Sequence, residues 1–234
     1  MKRLKMILLP GMDGTGKLFD PLLETLPPNF EPRVIAYPNE PVKSYDELLP
    51  QVQRELPNGY PFLIVAESFS GPLAIKLAAI QPANLEALIL CATFAENPLP
   101  ALNWIHSFVS PLFFRLPPPR ILIRHLLAGA NCSKALVDRL LEIARSIKPE
   151  VIASRIRLVL TVDETQDLKS CRVPILYLIA KQDRLVSRRY ADQVLRLNPQ
   201  AKCVEIDAPH LLLQTEPEKA IIAINTFLRS QFEE

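Results

Sequence analysis

The chain has 234 residues, of which 49% are hydrophobic and 22% charged, and a formal net charge of +2. That length suits one α/β domain with an insertion, the apolar share supplies a large buried core, and the near-zero charge excludes bulk electrostatic attraction to nucleic acid or other polyanions. The four cysteines (Cys91, Cys132, Cys171, Cys203) are scattered without metal-ligand spacing, which fits a reducing, cytoplasmic compartment, and no stretch reaches membrane-span length.

Behind a basic start, Met1-Lys2-Arg3, the short apolar run 4–9 predicts a strand rather than a signal peptide. It feeds Pro10-Gly11-Met12-Asp13-Gly14-Thr15-Gly16, whose glycines allow tight turns and close approach to a substrate. Asp13 is expected to orient this loop or stabilise its turn. Gly11 to Lys17 also matches Gly-x-x-x-x-Gly-Lys, most of a P-loop, but Leu18 stands where a nucleotide site needs Ser or Thr for Mg²⁺. A P-loop-like nucleotide-binding protein is therefore a remote alternative. A short helix over 18–26, a strand over 33–36 and a helix over 44–56 follow.

The next strand, 61–66, runs into Ala66-Glu67-Ser68-Phe69-Ser70-Gly71 and then an apolar helix over 72–81. A serine on a sharp strand-to-helix turn, with small residues at −2 and +2, is what a nucleophile elbow requires. The glycines usual at those positions are here Ala66 and Ser70, which keep the size rule. Ser68 is thus the candidate nucleophile. Glu67 points away from substrate at such a turn and is given a structural role.

A strand over 85–90 precedes a long insertion, 94–172, with helical character over 102–114, 121–127, 133–146 and 149–160, broken by Pro117-Pro118-Pro119. Trp104, Phe108, Leu112 and Phe113 recur at helical spacing, reading first as a packed face and second as an acyl-chain pocket, with Trp104, Phe108 and Gly11 as substrate contacts. Over 101–160 nine basic residues face three acidic ones, a local excess of +6. Such a face could also make transient contact with a membrane surface.

After the insertion come a strand (174–180), a helix (187–197), a strand (202–206) and a helix (217–231). Alternating strands and helices with continuous apolar strands predict an α/β fold: a mostly parallel sheet with helices on both faces. A serine nucleophile needs a base, and the base needs an orienting acid. Of three histidines, His210 follows a late strand on a short loop, whereas His106 and His125 fall in the insertion. Asp183 follows the 174–180 strand, the place expected for the acid. Asp207 is too near His210 in sequence to reach the far side of its ring, and Asp163 and Asp167 precede the strand. Oxyanion donors are assigned to the amides of Met12 and Phe69.

Ser68, Asp183 and His210, in that order on those loops, resemble the α/β-hydrolases across nearly the whole chain outside the insertion. The pattern looks most like cap-bearing esterases and thioesterases, and Leu9 to Gly16 is also similar to the start of lipid esterases and acyltransferases of the plastid phytyl ester synthase type. Leu9-Pro10-Gly11 replaces the family's usual His-Gly, and Ala66 and Ser70 replace its elbow glycines. Neither change removes a group that catalysis needs. The resemblance implies a core of 1–93 and 173–234 and a helical cap of 94–172, inserted after the sixth-strand equivalent. It also implies hydrolysis of a small-molecule or lipid-like ester or thioester through an acyl-enzyme, with no metal or cofactor. The alternatives are acyl transfer to an alcohol by the same triad, or a non-catalytic binder.

Overall fold

The computed structural model describes residues 3–232; Met1 and Lys2 of the basic start, and Glu233 and Glu234, lie outside the described residues. In chain order the elements are β1 (Leu4–Leu9), a 3₁₀ turn (Lys17–Phe19), α1 (Asp20–Thr25), β2 (Phe30–Val34), α2 (Tyr45–Glu55) and β3 (Phe62–Glu67). Then come a 3₁₀ turn (Ser68–Ser70), α3 (Gly71–Ala79) and β4 (Leu85–Cys91). The insertion holds 3₁₀ segments Pro100–Phe108 and Pro111–Phe114, α4 (Arg120–Ile123), a π-helical turn (Arg124–Ala128), α5 (Lys134–Ser146), α6 (Pro149–Thr161) and α7 (Thr165–Ser170). The chain closes with β5 (Ile175–Ala180), α8 (Arg189–Leu197), β6 (Lys202–Ile206), α9 (Leu212–Thr215) and α10 (Pro217–Phe232).

The strands form one sheet in the order β2-β1-β3-β4-β5-β6, parallel throughout. Strands β3 and β5 are buried along their whole length, which is why they read as unbroken apolar runs. Their side chains alternate between two cores. Ile64 and Ala66 join Ile7, Leu9 and Tyr177 under α2, α3 and α8, while Leu63 and Val65 join Met6, Leu8 and Leu178 under α9 and α10. Each fully buried aliphatic side chain contributes about 1.5–3 kcal/mol to this sandwich.

The sheet order also positions a site. From β1 the chain goes outward to β2, then returns past β1 to β3 and proceeds the other way. The loops leaving β1 and β3 therefore diverge and leave a crevice at the carboxyl ends of the strands, the place where open parallel sheets bind ligands. The glycine loop follows β1, and Ser68 follows β3.

Five strands lie within one residue of their expected limits; β2 does not. It spans Phe30–Val34 instead of 33–36, pairing Leu4 with Phe30 and Leu8 with Val34. It is an edge strand with Glu31, Pro32 and Arg33 exposed, and an edge tolerates a proline that an inner strand does not. The helix expected over 102–114 is instead two 3₁₀ segments. Pro111 holds Ser110 extended (φ −103°, ψ 141°), and the Ser110 hydroxyl accepts from the Leu112 amide, so one segment ends and another begins there. Helices α7 and α9 carry no apolar period and were not expected.

Candidate active site

The turn after β3 is strained where the sequence predicts a nucleophile. Glu67 is extended (φ −98°), Ser68 is left-handed (φ 48°), and the chain then enters a 3₁₀ turn and α3. A serine in that region costs of order 1–3 kcal/mol and persists only where its surroundings hold it. Here they do. The Thr93 hydroxyl donates to the Ser68 carbonyl, and Tyr45 Oη donates to the Phe69 carbonyl at 3.0 Å. Ser70 Oγ donates to the Pro10 carbonyl and accepts from Tyr37 Oη at 2.5 Å, tying the elbow to the end of β1. Ser70 is thus more than a small residue. The tightest position is the next one: a Cβ on Gly71 would stand 1.9 Å from Thr93 Oγ1.

The loops after β5 and β6 bring the other two residues to Ser68. Asp183 Oδ1 accepts from the amides of Leu185 and Val186 at 2.8 and 2.9 Å, which fixes the carboxylate. Its Oδ2 lies 2.7 Å from His210 Nδ1, and His210 Nε2 lies 2.9 Å from Ser68 Oγ. With Asp183 accepting at Nδ1, that nitrogen carries the proton and Nε2 is left free to take the serine's. The Asp183 and His210 side chains are both buried, so their interaction is little screened by water. His106 and His125 stand elsewhere, against the Asn103 carbonyl and Arg184.

The glycine loop completes the arrangement. A Cβ on Gly11 would lie 3.9 Å from Ser68 Cβ, so this loop backs directly onto Ser68. The Gly14 amide donates to the Gly11 carbonyl at 3.1 Å, and Asp13 Oδ1 accepts from the Thr15 amide at 2.8 Å. Asp13 therefore stabilises the turn. Arg155 of α6 donates to the carbonyls of Met12 (2.9 Å), Asp13 (2.7 Å) and Pro38 (3.1 Å). Its guanidinium fills the space beside Gly14, where a Cβ would come within 2.5 Å of Nη1. A phosphate-cradling loop turns amides inward; this one turns carbonyls onto a buried cation.

The family described as "Serine aminopeptidase, S33" matches residues 34–214, well over half the chain. The chain belongs to this family of α/β-hydrolases. Among solved structures, a lipase-esterase related protein from Clostridium acetobutylicum ATCC 824 superposes with a TM-score of 0.81 at 12% identity, covering 97% of this chain and 95% of the other. A thermophilic esterase from Thermogutta terrifontis gives 0.78 at 22% identity, covering 98% and 90%. An enol-lactonase from Burkholderia xenovorans LB400 gives 0.73 at 15% identity, covering 97% and 92%. At these identities the likeness is one of fold. No curated protein sequence matches.

Beneath the loop, the hydrolase buries a carboxyl that the sequence reading left structural. Glu67 is 2% exposed, and a Cβ on Gly11 would lie 3.7 Å from its Oε2. Burial pushes its pKa up to about 7; His210 and a hydrogen bond from Gln214 oppose the shift, and Asp13 adds to it. Gln214 Nε2 donates to Glu67 Oε2 at 3.2 Å, while Glu67 Oε1 and Gln214 Oε1 are buried without partners. A protonated Glu67 has an O–H to donate to the unsatisfied amide oxygen of the side chain it already touches.

Arg155, Gln214, Thr93, Tyr37 and Tyr45 are the residues that sequence reasoning missed. Arg155 left a signal: it falls four residues after Val151 and three before Leu158, on the buried stripe of α6, where an unpaired cation has no reason to be. The others join residues far apart in sequence and leave none. Of the expected substrate contacts, Gly11 adjoins Ser68, whereas Trp104 and Phe108 pack edge to face at 6.4 Å on the outside of the insertion. A cavity of about 750 Å³ opens beside the His210 loop, lined by Leu18, Gly129, Arg139, Pro209 and Gln214 among others, but none of Ser68, Asp183 and His210 lines it.

Proposed function

We propose that this hydrolase cleaves a carboxylic ester or thioester through an acyl-enzyme on Ser68. The observation that carries the reading is the relay of 2.7 and 2.9 Å from Asp183 through His210 to a serine held at positive φ. Ser68 Oγ attacks the acyl carbonyl as His210 Nε2 takes its proton. Asp183 keeps the imidazole in the tautomer that accepts at Nε2 and stabilises the imidazolium. The amides of Met12 and Phe69 hold the oxyanion, the first on a loop braced by Arg155, the second in the 3₁₀ turn that leads into α3. The imidazolium then protonates the leaving alcohol or thiol, and water, deprotonated by His210, releases the acid. The insertion, 94–172, is the substrate-selecting lid. Its last helices are anchored in the main core through Leu158, Val159 and Leu168, and its middle packs Ile123, Val137 and Leu141 onto Leu18 and Leu211 beside the site loops. Four free thiols suit a cytoplasmic setting.

Hydrolysis of p-nitrophenyl esters from acetate to palmitate, with acyl-CoA thioesters alongside, tests the reading. Wild type is expected to show a chain-length optimum and Ser68→Ala to lose on the order of 10⁴-fold or more in kcat. Turnover equal in both would sink the assignment of Ser68. Methanolysis outrunning hydrolysis in the same assay would make the enzyme an acyltransferase on the same triad.

A further inference from the structure

Among the described residues, thirteen large apolar side chains are exposed, and nine of them lie between Leu99 and Leu122. Trp104, Phe108, Leu112, Phe113, Leu116 and Ile121 are each 60–81% exposed. The segment is nonetheless anchored. Ile105, Val109 and Phe114 pack on Ala153, Ile156 and Leu160 of α6, and Arg157 donates to the Val109 carbonyl. The exposed set is therefore a second apolar face, left over after the segment has formed its own core. Exposed apolar side chains concentrated in one segment of a folded chain mark an interaction site.

Its charge selects the partner. From Asn97 through Val137 the sequence contains no Asp or Glu, while Arg115, Arg120, Arg124 and Lys134 fall within the same stretch. Arg120 is paired with Asp138 of α5, which leaves Arg115, Arg124 and Lys134 as the cations of this stretch, and apolar side chains fringed by such cations match acyl chains beneath anionic head groups. A second copy docked through the same patch would oppose cations to cations, which disfavours a symmetric dimer. No helix among the described residues is long and apolar enough to cross a membrane, so the contact lies on the surface of the bilayer.

We propose that the 99–124 face docks the hydrolase onto an anionic lipid surface, with Trp104, Phe108, Phe113 and Leu116 entering the head-group boundary while Arg115 and Arg124 meet lipid phosphates. Trp104 and Phe108, expected as pocket walls, act as anchors. The same α6 that supports this face from Arg157 braces the glycine loop from Arg155. Docking does not depend on the catalytic reading, and Ser68→Ala binds as wild type does.

The chain has a single tryptophan, Trp104, so binding has its own optical signal. The full-length protein is mixed with phosphatidylcholine vesicles, or with the same vesicles containing phosphatidylglycerol, and Trp104 emission and flotation are followed. The expected result is a blue shift and flotation on the anionic vesicles, weakening as salt rises. Arg115→Glu is expected to weaken binding by roughly fivefold or more. Phe113→Ser/Leu116→Ser/Ile121→Ser is expected to weaken it on the order of a hundredfold while leaving the melting temperature unchanged, because all three side chains are exposed. Three results would overturn the proposal: no shift with either vesicle, equal binding to both at every salt concentration, or a concentration-dependent dimer that shifts Trp104 without lipid.

Discussion

Glu67 shows how a single side chain links burial, protonation and stability. In the unfolded chain a glutamate titrates near 4.5, and in the folded hydrolase it titrates near 7. A folded-state pKa raised in a carboxyl means that the native state binds the extra proton. Stability therefore falls as pH rises from about 4.5 through 7 and is flat outside that window. The difference is on the order of 3 kcal/mol. Glu67→Gln keeps the shape of the neutral acid and supplies an N–H for the unpaired Gln214 oxygen, with no charge to bury. It is expected to exceed wild type in stability at pH 8 and to match it near pH 4. Thermal or denaturant midpoints at both values check this; a gain that does not vary with pH would mean that Glu67 is already neutral or well solvated.

Helix α6 joins the glycine loop to the insertion through one buried cation. Arg155→Met preserves much of the volume but strands three carbonyls, those of Met12, Asp13 and Pro38. A buried acceptor left unpaired costs about 1–3 kcal/mol; Met12 and Asp13 are half-buried and Pro38 is exposed, so water relieves part of that cost here. With Ser68 as the proposed nucleophile, a loop displaced by even an ångström beside it is expected to lower turnover by about 10²-fold. The expected signature is a fall in kcat larger than any rise in KM, with Arg155→Lys between the two because an ammonium lacks the guanidinium's planar fork. A lowered melting temperature with unchanged kcat would make Arg155 a purely structural brace.

Across the whole molecule, stability is divided unevenly. Strands β1, β3, β4 and β5 are paired on both sides and lie between two cores, whereas the 3₁₀ segments Pro100–Phe108 and Pro111–Phe114 contain no buried residue. Native-state hydrogen exchange is expected to find the inner strands opening only with global unfolding and the 99–124 segment opening locally at much lower free energy. Equal protection in both would mean that the insertion unfolds with the core. A loosely held apolar face beside a rigid sheet is also what reversible docking requires, because the face can adjust to a lipid surface without disturbing Ser68, Asp183 and His210.

The sequence by itself determined the sheet, the order of its strands along the chain and the three loops that carry the candidate triad. Each rests on local chemistry: unbroken apolar runs for strands buried on both faces, small residues around Ser68, and Asp183 and His210 just past their strands. The edge strand β2 was less legible because one exposed side removes the apolar signal and admits Pro32. The 3₁₀ character of 100–114 was hidden because helical spacing alone does not distinguish it from an α-helix. Only the tertiary structure decided what surrounds the site. Arg155 on Met12, Thr93 on Ser68, Gln214 on Glu67 and Ser70 on Pro10 are contacts between residues brought together by the sheet order and the returning insertion. The sequence placed the three candidate residues because their constraints are local turns. It did not place their supports, because a hydrogen bond across the fold imposes no pattern on the residues nearby.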